Sequence, residues 1–160
     1  MFKLLLLLSV FASKSIAENP CPQHWTDATH VNLGCLLFNV TNPGSWLEGQ
    51  DSCAKNHNSH LVEIYNQEHQ DYLEMKAYEI ELFSGGGRYW WIGLSDEGSE
   101  GRWFWMHSLQ EANYTSWTQG YPRNVTEFNF AAMICLEDFN YHWTDVPNHE
   151  PNFPICQFFP

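Results

Sequence analysis

The chain has 160 residues and carries 19 Asp and Glu against seven Lys and Arg, a net charge of −12. That length suits one domain with a real core, and the acidity excludes nucleic acid and anionic membranes as partners. Acidity also favours solubility and attracts cations, but a solvated acidic surface accounts for it without any metal.

The chain opens Met1-Phe2-Lys3, runs through Leu4 to Ala12, and reaches Ser15-Ile16-Ala17 before Glu18. A basic start, a short apolar run and small residues at its end predict a cleaved secretory signal over residues 1–17. The product is expected to be a secreted, soluble domain over 18–160. The apolar run is too short to span a bilayer, and no later stretch is long enough. Loss of Lys3 and Lys14 leaves five basic residues against 19 acidic ones. Five cysteines follow: Cys21, Cys35, Cys53, Cys135 and Cys156. Secretion predicts disulfides. An odd number leaves at least one cysteine outside any internal bridge, and spacing alone does not give the pairing. No pair has Cys-x-x-Cys spacing, which argues against a thiolate zinc site or a redox motif. Asn39, Asn113 and Asn124 each head an N-glycosylation sequon, so each is expected in a surface loop.

Pro22 disfavours helix near the start of the mature chain, and Cys35 to Phe38 reads as a strand. Asn42-Pro43-Gly44-Ser45 is a turn. Ser45, with Glu48 three residues on, predicts a capping box and a helix over Trp46 to Lys55. Asn58-Ser59 break it, and Leu61 to Ile64 reads as a short strand. Asn66 is the next cap. His69, Tyr72, Leu73 and Lys76 fall at helical spacing, predicting a second helix over Glu68 to Tyr78. Ser84-Gly85-Gly86-Gly87 reads as flexible.

The densest aromatic stretch comes next. Tyr89-Trp90-Trp91-Ile92-Gly93-Leu94 and Arg102-Trp103-Phe104-Trp105 suit strands, with a polar turn from Ser95 to Gly101 between them. Trp103 and Trp105 share one face of a strand and Phe104 the other. Rings of this size bury about 150–250 Å² each, so these strands are expected at the centre of the core. Gly93 suggests a close backbone approach. From His107 to Phe130 no period is sustained, and so long a loop is usually functional or disordered. Ala131 to Leu136, the region from Trp143 to Asp145, and Ile155 to Phe158 read as strands. The fold class is α+β, without repeats or a second domain.

Together these residues resemble the C-type lectin-like domain over Cys21 to Phe158. The carrying motifs are Trp91-Ile92-Gly93-Leu94, then Glu100-Gly101-Arg102-Trp103-Phe104-Trp105, Tyr114 to Trp117, Gly120 with Pro122, and Trp143 with Asp145, in the family's order. The resemblance implies a double-loop fold with two helices and two small antiparallel sheets, its ends joined by a Cys53–Cys156 bridge. A further Cys21–Cys35 pair matches the family's long form and would close a hairpin-like arm. The partner that the family's second bridge needs is replaced by Asn148, so Cys135 is the odd cysteine. It would form an intermolecular bridge, giving a dimer, or pack as a small hydrophobe. Its neighbours Met133, Ile134 and Leu136 favour packing.

Calcium-dependent members hold the metal and the sugar with Glu-Pro-Asn or Gln-Pro-Asp in the long loop, an acidic residue before the strand cysteine, and Asn-Asp after a tryptophan. Here these positions read Tyr121-Pro122-Arg123, Met133 and Thr144-Asp145. Only Asp145 remains a carboxylate, and Arg123 brings a cation to the site. Glu127 and the Asn124 amide are the other oxygens within the loop. Calcium takes about six to eight oxygens, so no strong calcium site is expected, and Asp145 and Glu127 are the residues that would hold a metal. Glu150-Pro151-Asn152 spells the calcium motif but follows Asp145, and reads as coincidence. The resemblance places a proline like Pro122 in a loop-shaping and often cis peptide bond. A glycan on Asn124 would crowd the sugar site.

Two functions follow from the resemblance. One is a secreted recognition protein for carbohydrate or microbial-surface glycans, in innate immunity, with Tyr121, Phe128, Phe130 and Tyr141 available to stack on sugar faces. For Phe128 and Phe130, packing of the loop onto the core is the preferred reading. The other is a calcium-independent binder of a protein or another non-sugar surface. The ligand-binding loop in either case comprises Tyr121, Pro122, Arg123, Asn124, Glu127, Thr144 and Asp145. An enzyme is not expected, since no Gly-x-Ser-x-Gly, His-Glu-x-x-His or phosphate-binding glycine loop occurs. His57, His60, His142 and His149 read as solvated, and the adjacent Glu137 and Asp138 face opposite ways in a strand.

Overall fold

The structure, a computed structural model, describes residues 19–85, 88–135 and 140–160. The expected signal, Gly86, Gly87, Leu136, Glu137 and Asp138 lie outside them. Strand β4 (Tyr89–Ser95) is the spine. Its alternating side chains feed two separate cores: Trp90, Ile92 and Leu94 enter one, and Trp91 enters the other. Both faces are buried, so the strand reads as a continuous apolar run rather than an alternating one.

Around it lie β1 (Thr26–Ala28), β2 (Gly34–Phe38), β3 (His60–Leu61), β5 (Phe104–Trp105), β6 (Phe130–Cys135), β7 (Tyr141–Val146) and β8 (Phe153–Phe158). The strand order is β1-β2-β8-β4-β6-β7, with β3 on β8 and β5 on β4. Two antiparallel groups are thus joined through β8, which runs antiparallel to β2 and parallel to β4. The C-terminal strand therefore binds the first third of the chain to its aromatic centre.

Helix α1 (Trp46–Lys55) starts and stops where expected. Ser45 Oγ accepts from the Glu48 amide, and Glu48 accepts from the Ser45 amide. Helix α2 begins at Gln67 with Asn66 as its cap, but continues to Ser84, six residues beyond the expected end. The extension carries Glu81, which is buried and accepts from Trp90 Nε1 at 3.0 Å. A carboxylate on the core face breaks the apolar period, so the sequence pattern ends at Tyr78. The strand expected over Leu61 to Ile64 is only His60–Leu61; beyond it the Val62 amide still donates to Ile155 of β8, but its carbonyl turns to accept from Gly93 of β4.

Disulfides join Cys21 to Cys35 and Cys53 to Cys156. Cys135, at the end of β6, belongs to neither and is half-buried. Three tryptophan N–H groups bond internally: Trp46 to the Ile92 carbonyl, Trp91 to the Gly44 carbonyl and Trp143 to Gln70 Oε1. Trp90, Trp91, Trp103 and Trp105 are buried scaffold.

Candidate functional site

Strand β7 presents the site. Its antiparallel register sets Asp145 opposite Ala131 of β6, and the Asp145 side chain is fully buried. The long segment between β5 and β6 is tied to the same strand. Trp143 donates its amide to the Ser116 carbonyl at 2.7 Å, and the Thr118 amide donates to the Trp143 carbonyl at 2.8 Å. Gly120 then takes a positive φ of 85°, and the Tyr121–Pro122 peptide bond is cis. These two features carry the loop back over β7 and deliver Arg123 to Asp145.

Arg123 occupies Asp145 completely. Its amide donates to Oδ2 at 2.6 Å and its Nε to Oδ1 at 3.0 Å. Nη2 donates to the Asp145 carbonyl. The guanidinium carbon lies 3.4 Å from the centre of the Phe128 ring and 5.1 Å from that of Tyr121. A buried carboxylate is costly unless paired and hydrogen-bonded. The planar guanidinium meets that need with donors in a fixed fork and a face that stacks on aromatic rings. A calcium ion at Asp145 would have to displace this arrangement. The residues present do not fit the metal: both carboxylate oxygens are taken and a cation already stands beside them. Among the described residues no group of three or more His, Cys, Asp or Glu side chains could hold a metal.

Glu127 and Asn124 are exposed, and Gly101 closes on the Asn124 side, with Oδ1 3.7 Å from where a Cβ would sit. Two buried oxygens on this shoulder lack hydrogen-bond partners: Asp96 Oδ1 and Asn129 Oδ1. Their segments touch, since the Asp96 amide donates to the Asn129 carbonyl at 3.1 Å. Burial pushes the Asp96 carboxyl above the usual range. The pair falls short of the ligand number calcium takes.

The aromatic candidates divide. Tyr121 borders the open cavity, Phe128 carries the guanidinium, and Phe130 packs in the core 4.8 Å from Trp46. Tyr141 is fully buried and cannot meet a sugar. His60 is buried too, against the expectation of solvation, and stacks on His107 at 3.7 Å. Asn113 is exposed, whereas Asn39 is half-buried, with Nδ2 on Ser52 Oγ at 3.4 Å.

Glu150-Pro151-Asn152, read from the sequence as a coincidental match, lies close to the site. A cavity of about 440 Å³ is walled by Tyr121, Arg123 and Phe128 of the loop, by Asp145, by Tyr89 at the start of β4, and by Glu150 to Asn152. The connection from β7 to β8 folds back, and the bridge between Gly44 and Asn152 pins it there. Sequence order alone does not show this fold-back, because it depends on the pairing of Asn152 with Gly44.

Comparison with known proteins gives a consistent picture. A family model described as "Lectin C-type domain" matches residues 42–158. A protein named "C-type lectin" from Cerberus rynchops is 31% identical, covering 94% of this chain and 92% of its own. Perlucin from Haliotis laevigata is 30% identical, covering 80% of this chain and 79% of its own. Among solved structures, human lithostathine superposes with a TM-score of 0.73 at 24% identity, over 88% of this chain and all of that one. The C-type lectin domain of murine dendritic cell inhibitory receptor 2, solved in complex with N-glycan, gives 0.69 at 25% identity, over 88% and 99%.

Proposed function

We propose that this chain, which belongs to the C-type lectin domain family, is a secreted recognition protein that binds carbohydrate without calcium at Asp145. The observation that carries this reading is the Arg123–Asp145 pair, which holds the long loop against β7 where a metal would otherwise be needed. Support for carbohydrate comes from the family, from the neighbour solved with N-glycan, and from a cavity that combines aromatic rings with polar groups. Such a mixture suits sugars, whose ring faces are apolar and whose edges are hydroxylated. The signal expected over residues 1–17 supports secretion, and among the described residues no helix is long and apolar enough to cross a membrane. The role is binding rather than catalysis, and microbial-surface glycans are the target class in an innate-immunity setting. At Cys135, burial pushes the thiol up, which favours packing over an intermolecular bridge.

A glycan array probed with and without EDTA tests the reading. Binding that survives EDTA is the expected result. Binding to mannose- or galactose-type glycans that EDTA abolishes would overturn it. The second reading, a calcium-independent binder of a protein or other non-sugar surface, draws on the same arginine lock. It also draws on a neighbour named herring type II antifreeze protein, at 25% identity and a TM-score of 0.69. An array blank under both conditions would favour it.

A further inference from the structure

We infer that Glu150 and Asn152 form a metal-free subsite for a neutral saccharide on the β7–β8 wall of the cavity, with Tyr89 as its stacking platform. This rests on the reading that the chain binds carbohydrate, and it names where and which class.

Asn152 is 8% exposed. Its backbone is held on both sides by Gly44, N–H to carbonyl and carbonyl to N–H, each at 3.0 Å. Its side-chain nitrogen, Nδ2, is buried without a hydrogen-bond partner. A buried donor left unmade is costly and calls for an acceptor from outside the chain. Two residues earlier, Glu150 is exposed and has no ion-pair partner among the described residues. Its carboxylate accepts only. Pro151 between them has a fixed φ, which restrains the spacing of the two groups. A donor and a carboxylate acceptor on one cavity wall match hydroxyl groups, each of which gives one proton and accepts another. Tyr89 borders the same cavity and is 44% exposed, offering a flat face to the C–H side of a pyranose ring.

Charge decides the class. The Arg123 cation in this cavity is already matched by Asp145, so Glu150 is left as unbalanced negative charge. A sialylated or uronic-acid glycan would be repelled, and a neutral sugar would not.

The whole protein is assayed in EDTA on an array of neutral and acidic glycans, and the best neutral glycan is then titrated against variants. Wild type is expected to bind neutral glycans. Glu150→Ala, Tyr89→Ala and Asn152→Asp are each expected to weaken that binding about tenfold or more. The first two replace exposed side chains, and their melting temperatures should match wild type, so they serve even where Asn152→Asp perturbs folding. If wild type binds in EDTA and both exposed variants bind equally well, the subsite is wrong while carbohydrate recognition stands. A preference for acidic glycans also overturns the subsite. A wild-type protein that binds no glycan under any condition removes both.

Discussion

At Arg123 a single side chain closes a loop and neutralises a buried acid. The strength of that contact follows from its exposure. Asp145 is fully buried while Arg123 is 36% exposed. Exposed pairs contribute under about 1 kcal/mol, and breaking buried ones costs about 3–5 kcal/mol, so Arg123→Ala should cost about 1–3 kcal/mol in urea unfolding. Arg123→Lys should recover little, because an ammonium lacks the fork that reaches Asp145 Oδ1 and the Asp145 carbonyl together. An unchanged midpoint in Arg123→Ala would show that the loop is held elsewhere. His60 carries a different prediction. Burial lowers its pKa, opposed by its contact with the Leu61 carbonyl, and burial lowers that of His69 as well. The unfolded chain then binds protons more readily than the folded one below about pH 6.5. Stability is full above that pH and is lost as pH falls below it. Unfolding free energies at pH 7.5 and 5.5 should differ in that direction, and His60→Gln should shrink the difference. Equal values would sink the idea.

At Gly93, β4 passes close to the end of β3 and the residue after it. A Cβ on Gly93 would lie 2.8 Å from the Leu61 carbonyl oxygen and 3.3 Å from that of Val62, both backbone atoms. The Gly93 amide donates to the Val62 carbonyl at 2.8 Å, so the two segments cannot part without losing it. Overpacking costs about 1–3 kcal/mol where neighbours can shift. Here the neighbours are backbone, and Gly93→Ala should reach or exceed the upper end, read as a lowered urea midpoint. A variant as stable as wild type would mean the strands slide freely past each other. The helices show what a sequence can and cannot declare. The Ser45–Glu48 box announces α1 because a cap is a local device of four residues. The true end of α2 is hidden because Glu81 earns its place through Trp90, a partner on another element.

For the molecule as a whole, the Cys53–Cys156 bridge closes a separation of 103 residues. In the chain-entropy picture that contributes about 4–5 kcal/mol by limiting the unfolded ensemble. Replacing both cysteines by serine should lower stability by roughly that amount in denaturant titration, and a loss below about 1 kcal/mol would refute it. The overall architecture was legible because its determinants are contiguous: aromatic strands, caps, and turns rich in glycine. The chemistry of the site was legible only in parts. Tyr121, Arg123, Thr144 and Asp145 could be named as one loop site, and Arg123 as an added cation. That its guanidinium would seat on Asp145 between Tyr121 and Phe128 depends on loop geometry set by distant hydrogen bonds. The place of Glu150 to Asn152 depends on Gly44, more than a hundred residues away along the chain. No local pattern records such a pairing.

The arginine lock also bears on timing and place. A loop held by a dissociable ion opens when that ion is scarce, and a ligand can be shed by moving into such a compartment. A guanidinium is covalently tethered, so it is neither diluted nor chelated, and it keeps its charge across the physiological range. Cargo held above this loop would leave at its own dissociation rate, with no ionic trigger to hasten it.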